Sequence, residues 1–308
     1  MRAFSNIILS IAASCFSASF AFADTITVCL DGTCDFTDPA EAAKVLLSGD
    51  TLEIAAGTYL LEEPLSLYGV NAHVRGAVDS GGNPATILDA QGMTQVFASA
   101  SATGESVIEN LVMTHGYAEY GGGIFISGSS LIFRNCHIRD NHAGFQGGAM
   151  FLTNGASLTL IDCKITGNVA EHPKWDDNGR GGAFWISNST LFLIDSQVTD
   201  NFAVTGAGGI GSSTAGAVVL ERSSVCGNVA PGAAQVSGGT VTILGGCIEV
   251  DCDSCVTTEP ADLNFDGSIN VTDLLLLIDM WGGTGSADID SNGVVDVSDL
   301  LILIGSWS

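Results

Sequence analysis

The feature that most constrains this chain is a repeat between Gly121 and Ala230. Gly122-Gly123-Ile124-Phe125, Gly147-Gly148-Ala149-Met150, Gly181-Gly182-Ala183-Phe184 and Gly208-Gly209-Ile210-Gly211 each open a unit. Segments ending Asn141-His142-Ala143, Asn168-Val169-Ala170, Asn201-Phe202-Ala203 and Asn228-Val229-Ala230 close them, with the asparagines 27, 33 and 27 residues apart. A period of this size means stacked units, none able to bury a core alone. Between the landmarks lie short runs with period-two alternation, such as Leu131-Ile132-Phe133 and Leu191-Phe192-Leu193, separated by Gly, Ser and Asn. None is long enough for a helix.

Such a unit is one coil of a parallel β-helix, its strands pairing with the coils above and below. The repeated Asn is expected to take left-handed backbone and to hydrogen-bond along the stack. The glycine pairs are expected where a Cβ would clash. Over roughly residues 110–245 these motifs resemble the repeats of polymorphic outer-membrane proteins, within the pectate-lyase-like superfamily. The resemblance implies an all-β right-handed parallel β-helix. It implies no activity, because that scaffold carries lyases, hydrolases, adhesins and inert surface proteins alike.

Arg2, the apolar run Ile7 to Phe16 and Ala21-Phe22-Ala23 read as a signal peptide over residues 1–23; the run is too short for a membrane anchor. The expected location is secreted, extracellular or at the cell surface, with no transmembrane segment after signal removal. The net charge of −25 excludes nucleic acid and anionic membranes as partners through the overall field, and suits cations. Eight cysteines follow the leader, and an oxidising compartment makes disulfides the expectation. Cys29 and Cys34 flank a turn and suit a local bridge. Cys136 and Cys163 fall at equivalent places on adjacent coils, as a disulfide or as small ladder residues. Cys226, Cys247, Cys252 and Cys255 crowd the far end. Cys252-x-x-Cys255 reads as disulfide cysteines rather than half a zinc site, since no second pair accompanies it.

The β-helix is expected over residues 24–250. Asp38-Pro39 followed by Ala40 to Leu47 reads as an N-capped helix covering its open end. Thr25 to Val28, Thr51 to Ile54, Gly57-Thr58-Tyr59 and Leu65 to Tyr68 read as its first strands. The longer Asn step comes from an insertion, Glu171 to Arg180, which would project from one turn and wall a groove. It holds His172, Asp176, Asp177 and Arg180, weak catalytic candidates, and Trp175, a ligand-binding candidate with Tyr117 and Tyr120 from an earlier coil. Glu119, His142, Phe145 and Gln146 would lie near. Aromatic faces suit pyranose rings, and two carboxylates suit glycoside cleavage. The Arg-x-Pro-x-x-Arg context of pectate lyases is missing, and only Asp176-Asp177 matches the polygalacturonase series. An enzyme, as polysaccharide lyase or glycoside hydrolase, therefore stands open beside a binding protein.

After a linker at 251–261, residues 262–308 hold the most specific motif. Asp262, Asn264, Asp266 and Asp273, with the Ser268 carbonyl, form a twelve-residue calcium loop. Asp288, Asp290, Asn292 and Asp299, with the Val294 carbonyl, repeat it 26 residues later. Oxygen ligands at loop positions 1, 3, 5, 7 and 12 with glycine at 6 suit Ca²⁺. Apolar helices are expected from Leu274 to Trp281 and Leu300 to Trp307. Asp rather than Glu at position 12 makes the tandem resemble a type I dockerin, an α-helical module with two Ca²⁺ sites. The resemblance implies attachment to a cohesin-like protein and association of the β-helix with polysaccharide binding or breakdown. At the family's partner-choosing positions this chain has Val271-Thr272 and Val297-Ser298, where only Thr272 and Ser298 keep the usual hydroxyl. The alternative class is a non-enzymatic structural or adhesive cell-surface protein, which the outer-membrane-type repeats favour.

Overall fold

The computed structural model describes residues 23–172, 179–231, 234–244, 246–252, 260–264, 268–290 and 292–307. Residues 1–22, in the expected signal peptide, and 253–259, in the expected linker, lie outside them. From Thr25 the chain winds as a right-handed parallel β-solenoid of about eight turns. Corresponding strands pair in register into sheets of nine, eight and seven strands, plus a short fourth sheet of four.

Period-two sequence becomes core by one rule. In Ser130–Arg134, Leu131 and Phe133 point inward and are buried while Ile132 faces out. Leu131 then stands beside Leu158, Leu191 and Val218 in successive coils. Ile138, Ile165, Val198 and Val225 form a second row, and Ile124, Met150, Phe184 and Ile210 a third. Each buried side chain contributes roughly 1.5–3 kcal/mol, but only once coils lie on both sides of it.

The glycine pairs answer two separate demands. Gly181 has φ +66°, and a Cβ there would run into the Phe184 carbonyl. At Gly182 a Cβ would meet the Gly208 carbonyl of the next coil. The first glycine makes the turn, and the second admits the neighbouring backbone.

The asparagines form a buried ladder. Asn141 Nδ2 donates to Asn168 Oδ1 at 2.9 Å, Asn168 Nδ2 to Asn201 Oδ1 at 2.9 Å, and Asn201 Nδ2 to Asn228 Oδ1 at 2.8 Å. Gln235 Oε1 ends the row, accepting from Asn228 Nδ2 at 2.8 Å. The left-handed backbone expected of them sits one residue earlier, at Asp140, Gly167, Asp200 and Gly227 (φ +55° to +66°). The chain turns there, so that each following amide can point into the stack.

Cys136 and Cys163 are free, buried thiols. Each Sγ donates to the carbonyl two residues back at 3.2 Å, as Ser196 and Ser223 do with their hydroxyls at 2.8 and 2.9 Å in later coils. The position asks for a small donor, which decides between the two readings of these cysteines. Cys29–Cys34 is bridged as expected. Cys252 pairs with Cys226, 26 residues back, instead of with its near neighbour Cys255, which lies outside the described residues. The bridge ties the chain to the coil above, because one coil is about that long.

Helix α1 is Pro39–Ala43, with Asp38 accepting the Ala40 N–H at 2.8 Å. It stops short of the expected Leu47. Val45 and Leu46 bond three residues back, at 3.3 and 3.4 Å, and Asp50 takes the Leu47 N–H at 2.8 Å, drawing the chain into the strand Thr51–Ile54. Ala42, Ala43 and Leu46 join the solenoid core. The C-terminal module has a separate core of Ala261, Leu263, Ile269, Leu277, Ala287, Val295 and Leu303.

Candidate functional site

Two places gather chemistry. In the C-terminal module, helices α2 (Val271–Asp279) and α3 (Val297–Gly305) start three residues earlier than the apolar runs suggest. Asn270 and Asp296, at loop position 9, cap them by accepting the N–H of Thr272 (2.9 Å) and Ser298 (2.7 Å). The position-12 aspartates complete each capping box. Asp273 Oδ2 accepts the Asn270 N–H and Asp299 Oδ2 the Asp296 N–H, both at 2.8 Å. The end of each loop is thus already the first turn of its helix.

Asp273 and Asp299 are fully buried. Asp299 Oδ1 also accepts the N–H of Ile289 at 2.7 Å and of Asp290 at 3.1 Å. Burial pushes its carboxyl up, but the backbone donors around it together hold it below the usual carboxylate range. Carboxylate oxygens of Asp288, Asp290 and Asp299 all lie within 4.8 Å of one another. An all-oxygen set of three carboxylates, beside Asn292 and the Val294 carbonyl, fits a hard divalent cation such as calcium. In the first loop Asp273 Oδ1 accepts the Asn264 N–H at 3.1 Å, the counterpart of the Asp290 contact. Asp262 is buried there too, Asn264 and Ser268 are described, and Asp266 lies outside the described residues.

The second place is the short fourth sheet, made of Tyr117–Tyr120, His142–Gln146, Val169–Ala170 and Phe202–Ala203. Gln146 bridges to Arg180 and Arg180 to Thr205, so the coil regains register just after the insertion. Stacking brings Tyr117 against His142 (5.4 Å between centroids, edge-on), Tyr120 against Phe145 (5.7 Å, stacked) and Phe145 against His172 (5.0 Å). His142 Nε2 lies 2.7 Å from the Glu171 carbonyl; a carbonyl only accepts, so that nitrogen carries the proton. Tyr117, Tyr120, His172 and Arg180 therefore do gather on one side. Trp175, Asp176 and Asp177 lie outside the described residues. Within the stripe the rings cover one another, so they offer fewer open faces than their number suggests. Around the corner Tyr120 meets Phe151 edge-on at 5.3 Å, and Phe151 stacks on Phe125 at 5.8 Å. Aligning the repeats would have shown Phe125, Phe151 and Trp185 as one row.

The family model described as a right handed beta helix region matches residues 86–248, more than half of the chain. The chain belongs to the right-handed β-helix family. A second family model, the dockerin type I domain, matches residues 260–306. No curated protein and no solved structure matches the chain. No helix among the described residues is long and apolar enough to cross a membrane.

A cavity of about 430 Å³ lies elsewhere on the β-helix, against Asp162, Asp195, Arg222 and the Cys226–Cys252 bridge. Its cation is committed. Arg222 Nε and Nη2 hold the Asp195 carboxylate at 2.8 Å each, and Nη1 reaches Glu221. Asp162 shares the site, and partial burial, then the charge of Asp195, push its carboxyl up. A carboxyl raised on folding costs stability once it ionises, and that cost vanishes below the pH at which the unfolded chain also protonates. Asp162→Asn, at φ +53° where Asn is tolerated, should therefore raise the melting temperature at pH 7. The gain should fade as pH falls through the carboxylate range. It is expected to be small, because solvent still reaches the side chain; thermal scans at pH 3 and pH 7 check it.

Proposed function

We propose that this is a secreted, polysaccharide-associated β-helix, tethered through its calcium-loaded dockerin module to a cohesin-type partner. The proposed division is a leader at 1–23, the β-helix at 24–250, a linker at 251–261 and the module at 262–308. The observation that carries the attachment half is the doubled helix pattern. Each nine-residue helix buries its ligand aspartate and turns apolar side chains outward. Leu275, Ile278 and Trp281 are 59, 53 and 49 % exposed, and Leu301, Ile304 and Trp307 are 65, 51 and 45 %. Apolar surface left open on so acidic a module suits a protein partner. Calcium would be held by Asp262, Asn264, Asp266, Ser268 and Asp273, and by Asp288, Asp290, Asn292, Val294 and Asp299. The metal neutralises a loop that otherwise repels itself.

The carbohydrate half rests on the stripe of rings and imidazoles. The rings and imidazoles described there support binding, and the carboxylate candidates Asp176 and Asp177 lie outside the described residues. A second reading, a structural or adhesive cell-surface protein with the same attachment tail, is supported by the outer-membrane-type repeats. Passing the full secreted chain over immobilised type I cohesins should show retention in calcium and release by EDTA. Retention unchanged by EDTA, or none, would sink the attachment half. Failure to bind any of a panel of neutral and uronic polysaccharides would leave the structural reading.

A further inference from the structure

The aromatic side of the β-helix begins abruptly. Tyr117–Tyr120 is the first strand of the four-stranded sheet, and the preceding coil adds no strand to it. That coil supplies Met93 to Gln95 instead, joined to the sheet by Tyr117 N–H donating to the Thr94 carbonyl at 2.8 Å. On the adjoining face Phe125 stands between Phe151 and Ala98, so that row of rings ends against a methyl group. Both rows therefore start on one coil and form a step. Tyr117, Tyr120 and Phe125 wall it, above Met93, Thr94 and Gln95, in a depression of about 460 Å³. Small-molecule sites occupy roughly 300–1,000 Å³.

One coil further along, Phe145 lies between Tyr120 and His172, and Phe151 between Phe125 and Trp185. At the step, ring surface stays open: Tyr117 is 38 % and Tyr120 43 % exposed. Polar groups sit at the edge of these rings. Gln95 Nε2 donates to the carbonyls of Tyr120 (2.8 Å) and Gly121 (3.1 Å), which fixes the amide and leaves its Oε1 to accept. Glu119 is exposed beside it, and the two tyrosine hydroxyls can donate or accept.

We infer that this step seats a pyranose unit of a neutral glycan, the rings taking its apolar face while Gln95, Glu119 and the tyrosine hydroxyls take its hydroxyl groups. The inference rests on the polysaccharide reading above and narrows it to one place. Neutrality follows from charge: the described residues lining the step include a carboxylate and no cation, on a chain of net charge −25, which opposes a polyanion. The described residues that line the step all lie outside the insertion at Glu171 to Arg180.

Affinity electrophoresis of the full secreted chain with calcium, in gels containing xyloglucan, xylan, mixed-linkage β-glucan or polygalacturonate, tests it. One neutral glycan should retard the wild type. Tyr117→Ala and Tyr120→Ala should weaken that retention about tenfold, the loss of one good ring contact. Tyr120→Phe should stay within about twofold, since the ring remains. Trp185→Ala, two coils from Phe125 along its row, should change nothing. Melting curves confirm that each variant is folded. Wild-type retention that survives both Tyr→Ala variants overturns the seat while leaving the polysaccharide reading intact. Retention by polygalacturonate alone overturns the neutral class, and no retention on any gel removes the seat and the polysaccharide reading together.

Discussion

Replacing both Asp273 and Asp299 by Ala should remove the helices of the dockerin module together with its calcium response, and leave the β-helix melting where it does now. Each of these side chains is at once a proposed calcium ligand and the third residue of its helix. Asp299 accepts three backbone N–H groups, from Ile289, Asp290 and Asp296, on two oxygens. Removing the N3 half of each capping box costs on the order of 1 kcal/mol per helix, and leaves buried N–H groups without partners at about 1–3 kcal/mol each. Helices of nine residues do not stand alone in water. The small apolar core described beneath them leaves little margin.

Asn is no conservative replacement here, because both carboxylate oxygens of Asp299 accept and an amide offers only one oxygen. Asp299→Asn should therefore resemble Asp299→Ala more than it resembles the wild type. Far-ultraviolet circular dichroism during a calcium titration, followed by EDTA, reads the helices; calorimetry reads the metal. A double variant that keeps its helical signal and still evolves heat with calcium would show that position 12 serves neither role.

How much of this was legible follows from period. The coil, the core rows and the Asn ladder were written in the spacing of Gly-Gly and Asn, because a stacked fold repeats its constraints once per turn. Asp38 as a cap and Cys29–Cys34 as a local bridge were also readable, since each acts over a few residues. The left-handed residue was misplaced by one, because Asn suits that conformation in general and only the inward ladder shows that its side chain is needed elsewhere. The Cys226–Cys252 bridge was not readable among the four C-terminal cysteines, because separation along the sequence does not show that a solenoid places residues one coil apart in contact. The early starts of α2 and α3 were missed for the opposite reason. Apolarity begins at Leu274 and Leu300, but backbone capping sets the first turn, and it is done by the acidic loop itself. For the stripe, sequence brought Tyr117, Tyr120, Phe145 and His172 together correctly. It did not show that neighbouring rings would cover one another while Tyr117 and Tyr120, where the row begins, stay exposed.

Asn168→Asp should be among the most damaging single-atom changes in the β-helix. Asn168 is fully buried. Its Nδ2 faces three acceptors: Asn201 Oδ1 at 2.9 Å, the Ile138 carbonyl at 3.0 Å and the Thr166 carbonyl at 3.1 Å. Its Oδ1 accepts from Asn141 N at 3.1 Å and Nδ2 at 2.9 Å. A carboxylate keeps the second set and puts oxygen against oxygen three times in the first, inside the stack. Size and backbone are unchanged, so polarity alone sets the cost, about 3–5 kcal/mol for a buried charge left without a partner. Asn168→Ala removes the same donors without adding charge and should cost less. The two variants should also differ in their response to pH. The buried Asp would have its carboxyl raised above the unfolded value of about 4; its penalty should shrink as pH falls toward that value and grow as pH rises through the folded one. Asn168→Ala should show no such added dependence. Because coils unfold as neighbours rather than all at once, hydrogen exchange at the Asn141 and Asn201 amides, beside urea melts at pH 5 and pH 7, locates the damage. Equal losses for Asp and Ala at both pH values would mean that the ladder is held by packing and that its hydrogen bonds set only the register.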